Sequence, residues 1–227
     1  DLKNAVDVVT SALNIFNLQT TETGHLADVF TAALNESKLT LEQLTLSLQY
    51  AGNTAATAGI SYNELTAAVG ALANAGIRSG STIGTGLRQL LVDLITPSKK
   101  LQAELSRLGL SMADINVQTH GLSGVMANLK AAGFDTASAF EGLEVRAAAA
   151  YTALSNNLDT MNSLRQSFIL SNAASAANAT QMESLANTAR LFGSNIVALT
   201  YTAFKPFLGF LQDVTKGLSD MLAALRN

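Results

Sequence analysis

The sequence predicts an all-α protein, with a compact multi-helix domain over residues 1–134 and long, coiled-coil-like helices over residues 135–227. Apolar residues recur every three or four positions, and helix-capping patterns precede several of these runs. Alternating segments rich in Val, Ile and Thr, which would indicate strands, are absent from the sequence. A chain of 227 residues is long enough to bury a sizeable core.

Two capping boxes mark helix starts in the first third of the chain. Thr40 and Gln43 form a T-x-x-Q pattern ahead of Leu44 and predict a helix over about residues 41–57. Ser61 and Glu64 form an S-x-x-E pattern and predict a helix from about 61 to 75. Gly76 then ends this helix, because a left-handed residue at that position favours glycine.

The next two helices are predicted from one apolar face and one break. The apolar face is formed by Ile83, Leu87, Leu90, Leu91, Leu94 and Ile95. At the break, Thr96 is suited to cap a new helix that has Pro97 at its first position. This helix should end at a left-handed Gly109, with Leu110 as the hydrophobic partner of the cap.

Glycine is concentrated where the first of these helices begins, with Gly76, Gly80, Gly84 and Gly86 within eleven residues. Gly80 and Gly84 are four positions apart, so they share a helix face and let a neighbouring helix approach closely. Gly86 inside the helix should cost about 0.5–1 kcal/mol relative to alanine. The stretch is not a phosphate loop, because it lacks the lysine of a Walker motif and no strand precedes it.

The last quarter of the chain carries a 3,4 repeat of apolar residues that is typical of a coiled-coil seam. The register breaks at Pro206. Either these helices pack within the molecule or they self-associate; the near absence of charge over residues 166–204, where only Glu183 and Arg190 are charged, favours self-association. The predicted seam comprises Met182, Leu185, Ala189, Phe192, Ile196, Leu199, Ala203, Phe207, Leu211, Val214, Leu218, Met221 and Leu225.

Composition narrows the classes of function. Only 14% of residues are charged against 48% hydrophobic, so part of the surface should meet protein or lipid. The net charge of -3, with scattered Lys and Arg, argues against a specific nucleic-acid partner. Cysteine is absent, which excludes disulfides and thiolate metal sites, and a zinc site would need both His25 and His120. We therefore predict neither a metal nor a cofactor.

An enzymatic site is not indicated. His25 lies near Asp28, and a triad with Ser37 or Thr21 can be imagined, but a surface helix residue is the simpler interpretation. His120 falls in a predicted turn before Gly121. Glu141 and Glu144 share a helix face at i, i+3, as many solvated pairs do. No catalytic residues are predicted.

A membrane-active role is the alternative hypothesis. The segment from Leu191 to Leu211 is apolar and long enough to span a bilayer, although Lys205 and Pro206 interrupt it. In this alternative, residues 191–225 insert into a membrane. The chain begins with DLKNAVDVV rather than with methionine and without an apolar signal-peptide run, so we expect a piece of a longer protein.

Several motifs in residues 1–145 resemble the core domain of phage tail tape measure proteins. These are ISYNELTAAVGALANAGIRSG, then GTGLR, then TPSKKLQAELSRLGL, together with the upstream run that begins TTETGHLADVF. Gly86 departs from the alanine that is common in the family at this place. The residues that carry the motif are Ala73, Asn74, Ala75, Gly76, Ile77, Gly84, Thr85, Leu87 and Arg88.

The resemblance implies a structural protein that acts as a ruler for tail length. Such proteins template the assembly of the tail tube inside its lumen and leave the tail ahead of the DNA. The implied partners are further copies of the chain, the tail tube protein and tail-tip or baseplate proteins, with the host membrane as a potential contact at ejection. The implied locations are the tail lumen of the virion and, during assembly, the host cytoplasm.

Overall fold

A computed structural model of the chain describes residues 2–177. Within this range the chain is entirely helical between its turns and contains no strand, so the predicted all-α class is confirmed. The helices are α1 (Leu2–Ile15), a short 3-10 helix (Thr20–Glu22), α2 (Thr23–Glu36), α3 (Leu41–Thr57), α4 (Tyr62–Asn74), α5 (Gly80–Ile95), α6 (Lys99–Arg107), α7 (Val117–Ala131), α8 (Thr136–Gly142), α9 (Val145–Asn156) and α10 (Leu158–Ala177).

One hydrophobic core joins these helices. It begins with Val8 in α1 and extends to Phe168 in α10, and α4 lies at its centre with nearly every residue buried. Phe134 and Tyr151 close the core after α7 with an edge-to-face ring contact at 5.1 Å. The core therefore continues beyond residue 134. Residues 135–177 of the predicted self-association region are described, whereas every seam residue from Met182 to Leu225 lies outside the described residues, so the seam stays a prediction.

The first capping box forms as predicted. The Gln43 backbone N–H donates to Thr40 Oγ1 at 3.2 Å, and the Thr40 N–H donates to Gln43 Oε1 at 2.9 Å. These two bonds satisfy donors that a helix start otherwise leaves unpaired. The resulting helix, Leu41–Thr57, has the predicted bounds.

The second capping box forms only in part. Ser61 Oγ accepts from the Glu64 N–H at 3.2 Å and starts α4 within one residue of the predicted position. The Glu64 carboxylate does not turn back to Ser61; its Oε1 accepts from the Ser123 N–H at 2.8 Å instead. The prediction of a helix start is confirmed, but the partner of Glu64 is a residue of α7.

Both predicted glycine caps adopt the left-handed conformation. Gly76 has a φ of +96° and Gly109 a φ of +75°. After each one, the next residue bonds back into the helix: Ile77 N–H donates to Leu72 O at 3.2 Å, and Leu110 N–H donates to Leu105 O at 2.8 Å. This is the Schellman pattern, and it ends α4 and α6.

The start of α6 was predicted at the wrong residue. Thr96 is the C-cap of α5. Its N–H still donates to Val92 O at 2.8 Å, but its backbone leaves the helical region before Pro97, so the helix ends there. Ser98 is the N-cap of α6, and its Oγ accepts from the Leu101 N–H at 3.2 Å. The apolar face of α5 also ends earlier than predicted, since Leu94 is buried whereas Ile95 is 49% exposed.

Candidate functional site

Helix α5 lies against α3 through two glycines. A Cβ atom added at Gly80 would meet the Gln43 carbonyl oxygen at 2.6 Å. One added at Gly84 would meet Tyr50 Cβ at 2.7 Å and Ser47 Cα at 2.9 Å. Real Cβ atoms are not found this close to backbone atoms, so the predicted close approach at Gly80 and Gly84 is confirmed, with α3 as the neighbour.

Two hydrogen bonds fix this contact. Ser47 Oγ donates to the Gly80 carbonyl at 3.1 Å in the buried interior. Gln43 Nε2 donates to the Arg78 carbonyl at 2.7 Å, so the residue that closes the capping box of α3 also holds the turn before α5. The start of α3 and the start of α5 are thereby held as one unit.

Gly86 faces a second neighbour of α5, which is α9. A Cβ atom added there would lie 3.1 Å from Ala150 Cβ and 3.4 Å from the Arg146 carbonyl oxygen. The sequence alone indicates only a helix-propensity cost at Gly86. The structure adds the compensating feature, which is a closer packing of α9 on α5 than alanine would allow without adjustment.

The small residues of α5 leave an open groove of about 420 Å³ beside this helix. Its lining is mostly apolar, with hydroxyl groups from α5 and one guanidinium from α9. Tyr50 and Val145 lie in the lining with 43% and 69% of their surfaces exposed. The residues of the groove are Tyr50, Leu72, Ile77, Ser81, Thr82, Ile83, Thr85, Gly86, Val145, Arg146, Ala149 and Ala150.

The family-motif residues surround the turn between α4 and α5. Ala73 and Leu87 are buried in the core, whereas Ala75 and Gly76 form the exposed turn and Arg88 is exposed on α5.

Asn74 Oδ1 accepts from the Lys38 N–H at 2.7 Å and ties the turn to the loop before α3. Thr85 Oγ1 donates to the Ser81 carbonyl at 2.7 Å. Ile77, Thr85 and the non-matching Gly86 also line the groove.

A buried polar cluster around Glu64 was not predicted from the sequence. Glu64 is 7% exposed, and its carboxylate lies at a break in α7, where Gly121 has a φ of 66° and a ψ of 174°. Ser123 donates its backbone N–H to Glu64 and its hydroxyl to Asn162 Oδ1 of α10. The S-x-x-E pattern drew attention to Glu64, but nothing in the local sequence indicates a partner 59 residues away.

The residues considered for catalysis do not assemble into a site. His25 is half-buried rather than a plain surface residue, with its ring edge-to-face on Tyr62 at 5.7 Å. Ser37 Oγ donates to the Ala33 carbonyl at 2.6 Å and caps its own helix end. Glu141 and Glu144 do not share a helix face, because Glu141 belongs to α8 and Glu144 is the N-cap of α9.

Glu104, Asp135 and Tyr62 have shifted pKa values, and each shift has a structural cause. The Arg107 guanidinium, at 2.7 Å, holds the pKa of the Glu104 carboxyl below its ordinary value. The Ser138 N–H lowers the pKa of Asp135, which caps α8. Burial, with a smaller contribution from the Glu22 carboxylate, raises the pKa of Tyr62 to about 12. Each of these groups serves an ion pair, a cap or the core.

The described residues also bear on metal and membrane binding. Among residues 2–177, no group of three or more His, Asp and Glu side chains is placed to hold a metal ion. None of the helices in this range is both long and apolar enough to cross a bilayer. The segment 191–225, for which insertion was predicted as the alternative, lies outside the described residues.

Comparisons with known proteins address the same region of the chain. A family model described as phage-related minor tail protein matches residues 1–155. The tape measure protein of Pneumococcus phage Dp-1 is 32% identical over 132 residues, which are 58% of this chain and 11% of that protein. The probable tape measure protein of Escherichia phage P2 is 32% identical over 116 residues, 51% of this chain and 14% of that protein. No solved structure matches the chain significantly.

The matched region contains the helices that carry the motif, from α1 to most of α9. The chain spans only a small part of the length of the relatives that it matches. The resemblance to tape measure proteins that the motifs indicated is confirmed. Since the family model covers well over half of the residues, the chain belongs to the phage-related minor tail protein family.

Proposed function

We propose that the chain is part of a tape measure protein that sets phage tail length. The observation that carries this proposal is the sequence similarity to two relatives, one named tape measure protein and the other probable tape measure protein. In this role the protein templates assembly of the tail tube within its lumen and leaves the tail ahead of the DNA at ejection. Its activity is structural and not enzymatic.

The physical basis of a ruler is the constant rise of an α-helix. Each residue advances the axis by about 1.5 Å, so the length of an extended helical chain sets a distance directly. The residues 2–177 are unsuited to that measurement, because they fold back into one compact unit. We therefore assign the measuring role to other parts of the protein.

The partners in this proposal are further copies of the chain, the tail tube protein and tail-tip or baseplate proteins. Copies associate through the seam predicted between Met182 and Leu225, where apolar residues recur at 3,4 spacing and charge is sparse. The protein would be found in the host cytoplasm during assembly and then in the tail lumen of the virion.

The test is tail length in phage particles. In-frame deletions of about 28 residues within 178–227 of the phage gene should shorten tails by about 42 Å per deletion if these residues are extended helix. Electron microscopy of many particles resolves this difference. The matched control replaces the same residues with a helix-forming sequence of equal length that keeps the 3,4 apolar repeat, which should leave tail length unchanged. Complete tails of unaltered length after deletion would contradict the ruler role of this segment.

A further inference from the structure

Helix α7 consists of two parts separated at Gly121. The φ of 66° and ψ of 174° at Gly121 lie in a region that essentially only glycine adopts. Leu122 is the first residue of the second part, so Gly121 occupies its N-cap position. An ordinary N-cap uses a Ser, Thr, Asp or Asn side chain to accept from the N–H groups of the first turn. The backbone at Gly121 rules out such a local cap.

Glu64 of α4 fills the missing place. Its Oε1 accepts from the Ser123 N–H at 2.8 Å, and Ser123 is the second residue of the helical part, where capping side chains normally bind. A Cβ atom added at Gly121 would lie 2.9 Å from both carboxylate oxygens of Glu64. The carboxylate therefore occupies the space of the side chain that Gly121 lacks.

The environment of Glu64 explains how a carboxylate is kept in this position. The residue is 7% exposed, and in the described part of the chain no Lys, Arg or His side chain lies within ion-pair distance of it. The partial positive charge at a helix N-terminus and the unpaired N–H groups there stabilise an anion. The Ser123 hydroxyl extends the contact to Asn162, so α4, α7 and α10 meet at this point.

We propose that Glu64 is a long-range N-cap that latches the second part of α7 to α4 and, through Ser123, to α10. The two partners are 59 residues apart, so the latch forms only after the corresponding helices have docked. Loss of the carboxylate opens residues 122–131 locally before the rest of the core unfolds. The local stability of α7 thus depends on Glu64, which belongs to another helix, α4; both helices lie within the region that the family model matches.

Amide hydrogen exchange by NMR on the full chain tests the latch in the unaltered protein. Arg146 is the reference, because it holds the same second position in α9, whose N-cap Glu144 makes no side-chain capping bond. Arg146 is exposed whereas Ser123 is buried, so slower exchange at Ser123 is a requirement of the latch, and the variants of Glu64 isolate its cause. After correction for intrinsic rates, the Ser123 amide should exchange at least about tenfold more slowly than the Arg146 amide. Equal exchange at the two positions would overturn the proposal, and this comparison needs no substitution.

Two variants then separate charge from shape. Glu64→Gln keeps the shape and removes the charge, and it should accelerate exchange at Ser123 by about five- to tenfold, as expected for a weakened cap. Glu64→Ala should accelerate it further. The control Glu144→Gln, at an exposed N-cap without a capping bond, should leave Ser123 unchanged. Exchange at Ser123 within about twofold of the unaltered protein in Glu64→Ala would show that the Glu64 side chain is not the cap.

Discussion

Gly84 of α5 lies so close to α3 that a methyl group at its Cα would come within 2.7 Å of Tyr50 Cβ. The same methyl group would also lie 2.9 Å from the Ser47 carbonyl oxygen, which belongs to the backbone. A flexible side chain could move aside, but the backbone of α3 is held by its capping box and by the bond from Ser47 to Gly80. Glycine at position 84 is therefore a requirement of packing.

Gly84→Ala should lower the free energy of unfolding by about 1–3 kcal/mol, because the added methyl group overpacks the contact between α3 and α5. The loss should outweigh the gain of up to about 1 kcal/mol that alanine brings to a helix. Urea unfolding followed by circular dichroism measures the change.

Gly24→Ala is the matched control for this variant. Gly24 lies in α2, and a Cβ atom there would meet nothing within 4 Å. This substitution should be neutral or stabilise the protein by up to about 1 kcal/mol. A similar loss of stability in both variants would show that the packing of α5 on α3 does not explain the glycine.

Gly76→Val should destabilise the protein for a different reason. Gly76 has a φ of +96° and open space around its Cα, so the cost is backbone strain alone. A β-branched residue resists positive φ most strongly, and we expect a loss of about 1–3 kcal/mol. Gly76→Asn should lose less, since asparagine tolerates the left-handed region. An unchanged midpoint of thermal unfolding in Gly76→Val would refute the assignment of Gly76 as the cap.

Tyr62 makes stability depend on pH in the alkaline range. Its pKa is raised from 10.0 to about 12, mainly by burial, so the folded state binds the phenolic proton more tightly than the unfolded state. The stabilisation is complete below pH 10 and is lost as pH rises from 10 towards 12. Two pKa units correspond to at most about 2.7 kcal/mol. Unfolding measured between pH 9 and pH 12 should show this decline, with pH values taken about one unit apart.

Tyr62→Phe separates this effect from the titration of other groups. Phenylalanine keeps the ring contacts with Phe16 and His25 and cannot ionise. The free energy of unfolding should therefore fall less steeply with pH in this variant. Parallel curves for the two proteins would assign the alkaline loss of stability to other side chains.

The predicted seam is tested by mass in solution. Replacing Phe192 and Ile196 together by Asp should dissociate the proposed oligomer, because two charges would enter an apolar interface. Light scattering measures the mass, and circular dichroism should show that the helices of residues 41–109 remain. An unaltered oligomer would exclude the seam as the contact. A monomer that binds added liposomes would favour the membrane alternative for residues 191–225.

Local sequence patterns predicted where helices start and end, but they did not predict which residues distant in the sequence come into contact. The box at Thr40 and Gln43 and the caps at Gly76 and Gly109 depend on atoms within five residues, so the sequence contains all of their determinants. Thr96 was predicted as the cap of α6, but the structure gives that place to Ser98, because α5 extends to Ile95 and Thr96 is its last flanking residue.

The candidate site was predictable only in outline. The spacing of Gly80 and Gly84 indicated a close neighbour, but the sequence did not identify α3 as that neighbour. The role of Gly86 depends on α9, which lies about 60 residues further along the chain. Glu64 was assigned to its local capping box, whereas tertiary structure gave its carboxylate to Ser123.

The glycines of α5 make the length of this helix as important as its composition. Gly80 and Gly84 face α3 while Gly86 faces α9, so the helix has one rotational setting that satisfies both neighbours. Inserting one residue between Ser79 and Gly84 would turn one end of the helix against the other by about 100°. The exposed Thr82 and Arg88 accept other side chains without such a rotation. This segment should therefore vary by substitution at its outer face and resist insertions and deletions.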